Sequence, residues 1–251
     1  MLIYLGVFLL SASTLAFEIV LSRLFSIAQF YHFAFITVSL ALLGAGASGT
    51  ALSVFPSLRR GDPARRLSLL ALLTSLATLG SFALANWLPF DSFAIAWDHR
   101  QAFYLVLIYL ALSAPFFFGA MAVGWLLSAR PDDAPRLYAA NLAGSASGCL
   151  LALGALASWG GEGAAMFCAW LAALAALVVR PLSIPPAPRP LPKLGVEGGP
   201  GGKERVRAGV CLATIVLLSV LLITRPAFLA IRLSPYKSEP LRKVRVGFCL
   251  V

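Results

Sequence analysis

Charge is what this sequence has least of. Only 12% of its 251 residues are Asp, Glu, Lys or Arg; ten are acidic, and histidine occurs twice. Soluble domains carry roughly 25% charged residues, so the shortage excludes an ordinary water-facing surface. Cysteine is scarce too. Cys149, Cys168, Cys211 and Cys249 show no CxxC spacing and no neighbouring His, which excludes a disulfide framework and a zinc site. They read as small buried apolar residues. The net charge is +10, yet no basic helix interleaved with aromatics appears, so nucleic-acid binding is set aside. Gly198-Gly199-Pro200-Gly201-Gly202 is not a phosphate loop, because no strand precedes it and the Lys-Ser/Thr pair is missing. The first apolar run lacks the basic segment that opens a secretory signal, so it is expected to be a retained span.

What the chain has in abundance is long apolar runs: 60% of residues are hydrophobic and the mean hydropathy is +0.88. Each bilayer crossing needs about 20 such residues, and backbone amides in hydrocarbon must be satisfied internally, which selects helices. The runs predict an all-α, polytopic transmembrane bundle of about seven helices, at 2–22, 31–55, 67–90, 101–129, 137–161, 163–179 and 208–224. The first six form a bundle over 1–180. A Pro/Gly-rich basic linker follows over 181–207, then the seventh helix, then a basic tail over 225–251. The aromatic stretch 90–100 reads as a short interfacial element.

Orientation follows from Lys and Arg. Twelve of them fall in the loops after the second and fourth helices and in the linker, against Arg23 and Arg100 in the opposite loops. The N-terminus is therefore expected in the cytosol and the protein in the cell (inner) membrane. The tail conflicts with this, since its six basic residues would lie outside after seven crossings.

Ionisable groups inside a membrane are costly and are functional candidates by default. Glu18 lies on a stripe of the first helix with Ser11, Thr14 and Ser22, spaced three, four and four, a face turned to protein or water. Arg23 sits near the helix end, and His32 opens the second helix. The three are placed to form one polar cluster, either as a proton relay, as a site for a cationic ligand, or as a structural pair that pins the hairpin. No metal or haem site is expected, because His99 has no ligand spacing to His32. Small residues mark packing faces: Gly44 and Gly46 on the second helix, and Asn141, Gly144 and Gly148 on the fifth. Within-bundle packing and a homo-oligomer interface both fit them. Pro115 interrupts a backbone hydrogen bond in the fourth helix, which makes a kink or a binding-site break.

Several of these residues fall in one pattern. Glu18-Ile19-Val20-Leu21-Ser22-Arg23-Leu24-Phe25, Tyr31-His32-Phe33-Ala34-Phe35 and Ala41-Leu42-Leu43-Gly44-Ala45-Gly46 resemble the start of membrane-bound spermidine synthase-like proteins. Pro115-Phe116-Phe117-Phe118-Gly119 and Tyr138-Ala139-Ala140-Asn141-Leu142-Ala143-Gly144 resemble later parts, although the family usually has an acid where Asn141 stands. Leu233-Ser234-Pro235-Tyr236-Lys237-Ser238 resembles the entry to the family's soluble domain. The resemblance implies a multi-span region ahead of a Rossmann-like domain, similar to aminopropyltransferases and methyltransferases, that binds a nucleoside-sulfonium cofactor. This chain is expected to stop before that domain, as a truncated or frameshifted product, with no catalytic residue and no cofactor of its own. Its expected partners are the lipid bilayer and a spermidine synthase-like soluble domain, with anchoring and passage of a polyamine as its work. An independent small-solute transporter and a structural membrane subunit are the alternatives.

Overall fold

The computed structural model describes residues 1–28, 32–55, 62–88, 99–179, 209 and 212–220, and of these the side chains of 27–28 and 32–34 stand outside the description. Apart from Met1 and a few cap residues, the described residues are helical. They form α1 (Leu2–Ala28), α2 (His32–Val54), α3 (Pro63–Trp87), α4 (His99–Ala129) and α5 (Ala134–Val179), with a single 3-10 turn at Pro131–Asp133. Five helices are long and apolar enough to cross a membrane, which makes the chain a multi-pass membrane protein by length and composition. The expected interfacial stretch up to residue 98, the linker 181–207 and the tail 225–251 lie outside the described residues. Of the expected last helix, 212–220 is described, and it is helical.

Local chemistry explains where the ends depart from expectation. α3 starts four residues earlier than its charge-free run, because Asp62 caps it: its carboxylate accepts from the Arg65 backbone N–H at 3.0 Å, and Pro63 fills the first helical position. It stops at Trp87 because Leu88 precedes a proline and takes an extended conformation, φ −70° and ψ 130°. α1 continues to Ala28, past both Glu18 and Arg23, since neither charge removes a backbone donor.

The largest difference concerns α5. At 46 residues a straight helix would measure about 69 Å, more than twice the roughly 30 Å hydrocarbon layer. Gly160 breaks it with φ 70° and ψ −176°, a region costly to any residue with a Cβ. Two arms result, 134–159 and 161–179, matching the two helices expected there. Their directions follow from their contacts with α1. Gly144 and Gly148 of the first arm meet Phe8 and Ala12 in turn, so that arm runs parallel to α1. In the second arm Cys168 meets Ser13 and Val179 covers Gly6, so it runs antiparallel. The chain therefore reverses at Gly160, and Trp159 packs on Phe167 across the turn at 5.1 Å.

α1 passes between these two arms. α3 joins the outer side of the second arm through Ser68 and Ser75, whose hydroxyls donate to the carbonyls of Ala176 and Ala169 at 2.7 Å each. α4 lies against α3, and α2 runs parallel to α4, with Gly44 at the Ser113–Phe117 turn and Leu52 at Gly124. α2 is the least covered of the five: 28% of its apolar stretch is buried against the other described residues. The apolar interior divides into two cores. One holds Val7, Leu67, Trp125, Leu126, Leu137 and Val179; the other holds Phe17, Leu21, Phe82, Leu112, Leu156 and Met166. On α1 the level between them is Ser11 to Thr14.

Helix contacts this close rest on missing side chains. A Cβ on Gly148 would lie 2.5 Å from the Ala12 carbonyl oxygen. Gly148→Leu is expected to destabilise the protein by at least the ~1–3 kcal/mol of an overpacked core, read as reversible unfolding in detergent. Gly154→Leu, where a Cβ meets nothing within 4 Å, should leave stability near wild type. Equal losses in the two variants would contradict the packing described.

Candidate functional site

α1 carries its hydroxyls on two faces. Ser13 turns to the second arm of α5, donating to the Cys168 carbonyl at 2.7 Å. Ser11, Thr14 and Glu18 turn the other way, into a cleft of about 400 Å³ bounded by α1, α2, α4 and the first arm of α5. Asn141 and Ser145 face it from that arm, and Val38 and Leu42 of α2 form an apolar wall. Leu42 is 69% exposed, so the cleft opens sideways at the bundle surface.

Inside, the polar groups stand at two levels. At one, the Ser11 hydroxyl donates to Asn141 Oδ1 at 2.7 Å, which leaves the Asn141 amide hydrogens for another acceptor. Thr14 returns its hydroxyl to the Ser11 carbonyl at 3.1 Å. At the other stands Glu18, half-buried, seven residues and about 10 Å along the helix axis from Ser11. Among the described residues no side chain pairs with its carboxylate. Ser22, the last member of the stripe, is occupied elsewhere: it donates to the Glu18 carbonyl at 2.9 Å and shares a 2.5 Å hydrogen bond with Thr37 on α2. The α1–α2 hairpin is thus tied by two hydroxyls.

The three residues expected to form one corner are placed differently. Five residues at about 100° each put Arg23 about 140° around α1 from Glu18, and Arg23 is exposed. His32 is the first residue of α2, and its side chain lies outside the described residues. The small-residue positions also separate. Gly44 packs closely on α4, with the Ser113 carbonyl oxygen 2.5 Å from a would-be Cβ, whereas Gly46 meets nothing within 4 Å. Two helical steps turn Gly46 to the opposite face. Gly144 and Gly148 both sit on the α1 backbone, and α4 stays helical through the buried Pro115. Cys168 is buried and Cys149 partly so. No group of three or more metal-ligating side chains occurs among the described residues.

Sequence reasoning missed the interhelical hydroxyl-to-carbonyl bonds of Ser13, Ser68 and Ser75. The signal was present for two of them: Ser68 and Ser75 are seven apart, two turns along one face of α3. It also missed the α4 side of the cleft, which Gly119 and Gly124 help to line, Gly119 in close contact with the Thr14 methyl. No protein-family model matches the chain, and no curated protein or solved structure matches it either.

The Ser11–Asn141 bond joins α1 to α5 across 130 residues. Interhelical hydrogen bonds in membranes average about 0.6 kcal/mol. Ser11→Ala and Asn141→Ala should each lose about that much stability, and the double variant should lose less than the sum. Unfolding in mixed micelles measures the cycle, and full additivity would show that the bond contributes nothing.

Proposed function

We propose that this chain is a membrane domain that anchors a partner enzyme and receives a small polyamine in the cleft beside α1. The observation that carries the reading is Glu18: a carboxylate with no partner among the described residues, held in a cleft inside an apolar bundle. A buried charge is retained at such cost where a counter-charge arrives. The two polar levels, about 10 Å apart along α1 with apolar walls between them, fit a chain of methylenes bearing an ammonium at one end and a second amine toward Ser11 and Asn141. The resemblance to membrane-bound spermidine synthase-like proteins supports the same ligand class. In this reading the chain crosses the bilayer seven times, by α1 to α4, the two arms of α5 and the 208–224 helix, with its N-terminus in the cytosol.

The test uses the full chain in proteoliposomes and in detergent. Spermidine binding and uptake are expected for wild type. Glu18→Gln should lower binding about tenfold, the size of a lost charge-assisted hydrogen bond, and Arg23→Gln should leave it unchanged. If wild type neither binds nor moves spermidine, the ligand reading is wrong and a structural membrane subunit remains. If Glu18→Gln binds as wild type does, the carboxylate is not the counter-charge.

A further inference from the structure

A second concavity lies on a different part of the bundle, at the end where α3 begins. It is a trough of about 790 Å³ between the C-terminal half of α2, the N-terminal half of α3 and the C-terminal half of α4. Its polar groups are gathered at one end: Asp62, Arg65 and Arg66. Among the described residues two guanidinium groups stand there with one carboxylate, and that carboxylate accepts from the Arg65 backbone N–H as the α3 cap. Below them the walls are apolar, running down through Leu69 to Leu73 on α3 and up to Phe117 on α4.

The dimensions are those of one leaflet. Asp62 to Leu73 is eleven helical steps, about 17 Å, against roughly 15 Å for half of the ~30 Å hydrocarbon layer. The charged end falls where headgroups lie, and the apolar walls end near the bilayer midplane. Trp125 lies at the charged end: the Arg66 guanidinium sits 5.7 Å from the centre of its ring. The indole is 2% exposed, and its Nε1–H has no hydrogen-bond partner among the described residues. A buried indole N–H ordinarily finds an acceptor. The oxygens of a lipid phosphate or ester are acceptors of the right depth.

We propose that this trough holds one anionic phospholipid, its phosphate against Arg65 and Arg66 and an acyl chain along the walls toward Leu73 and Phe117. A zwitterionic lipid supplies the same chain, but its headgroup cation sets repulsion against the arginines. A free phosphate satisfies the arginines and leaves the apolar length empty. The proposal does not depend on what the Glu18 cleft binds.

The full chain, purified in detergent and stripped of lipid, is mixed with phosphatidylglycerol or phosphatidylcholine of identical acyl chains. Retention is read by native mass spectrometry and stability by thermal unfolding. One phosphatidylglycerol should be retained per chain, with a raised Tm, and phosphatidylcholine should be retained about tenfold less. Arg65→Gln with Arg66→Gln should lower phosphatidylglycerol retention about tenfold. Leu69→Trp should also lower it by filling the wall; Leu69 is 42% exposed, so the variant is expected to fold. Arg136→Gln, an exposed arginine outside the trough, should bind as wild type does. Equal retention of the two lipids overturns the proposal, as does wild-type retention in the Leu69→Trp variant or in the arginine pair. An equal Tm rise with glycerol phosphate alone also overturns it and makes the site one for phosphate rather than for lipid.

Discussion

Three contacts within one turn of α1 hold the bundle together. Ser11 bonds Asn141 on one side, Ser13 bonds the Cys168 carbonyl on the other, and between them Ala12 lies against Gly148. Lipid tails are as apolar as leucine, so apolar burial gives little preference for one helix pairing over another inside a bilayer. Close backbone approach and the few available hydrogen bonds decide instead. Both are spent here at one level of one helix, and both arms of α5 are thereby located with respect to α1.

The arms in turn place the rest. Once the second arm is antiparallel to α1, Ser68 and Ser75 of α3 find carbonyls at matching heights, Ala176 and Ala169. α4 then fills the space left by α1 and α3, with Phe116 stacked on Phe17 at 5.9 Å. The two apolar cores lie on either side of the hydroxyl level. Hydroxyls that bond carbonyls across a helix pair need short side chains, and Ser68–Ala176 places such a bond within the first core, beside Leu67 and Ala172. On α4, Gly119 packs against the Thr14 methyl, 2.5 Å from where a Cβ would lie, and so lets α4 come close to the polar stripe of α1.

The helical, membrane-crossing character was legible in the sequence because it depends on composition over 20-residue windows, which a single chain displays in full. The break near residue 161 was legible as well, from Glu162 between two charge-free apolar runs. Its consequence was not: only contacts with Phe8, Ala12 and Ser13 show that the arms straddle α1. The polar stripe of α1 was legible as a stripe, since spacings of three and four define one face. Which neighbours that face meets is a property of packing. Arg23 illustrates the difference. Nearness in sequence placed it beside Glu18, while the helical angle of five residues sends it to the opposite side. Gly44 and Gly46 separate for the same reason, two residues apart and on opposite faces.

The cleft and the trough also differ in a way that bears on what each is able to take up. In the trough the charged groups lie at the end of the helices, where a headgroup or water is within reach. In the cleft the carboxylate lies more than four helical turns into α1, beyond the Ser11–Thr14 level, and its walls from α2 are apolar. Glu18 is reached through the cleft, whose outer wall is α2 with Leu42 exposed at its edge. The residues along that edge therefore bear on selectivity as directly as the carboxylate does. A bulky side chain at Ala41 or Ala45, both on the cleft wall, would narrow the route without touching the charge. The charge and the route to it are thus separable: one resides on α1, the other on α2, the helix least covered by the rest of the bundle.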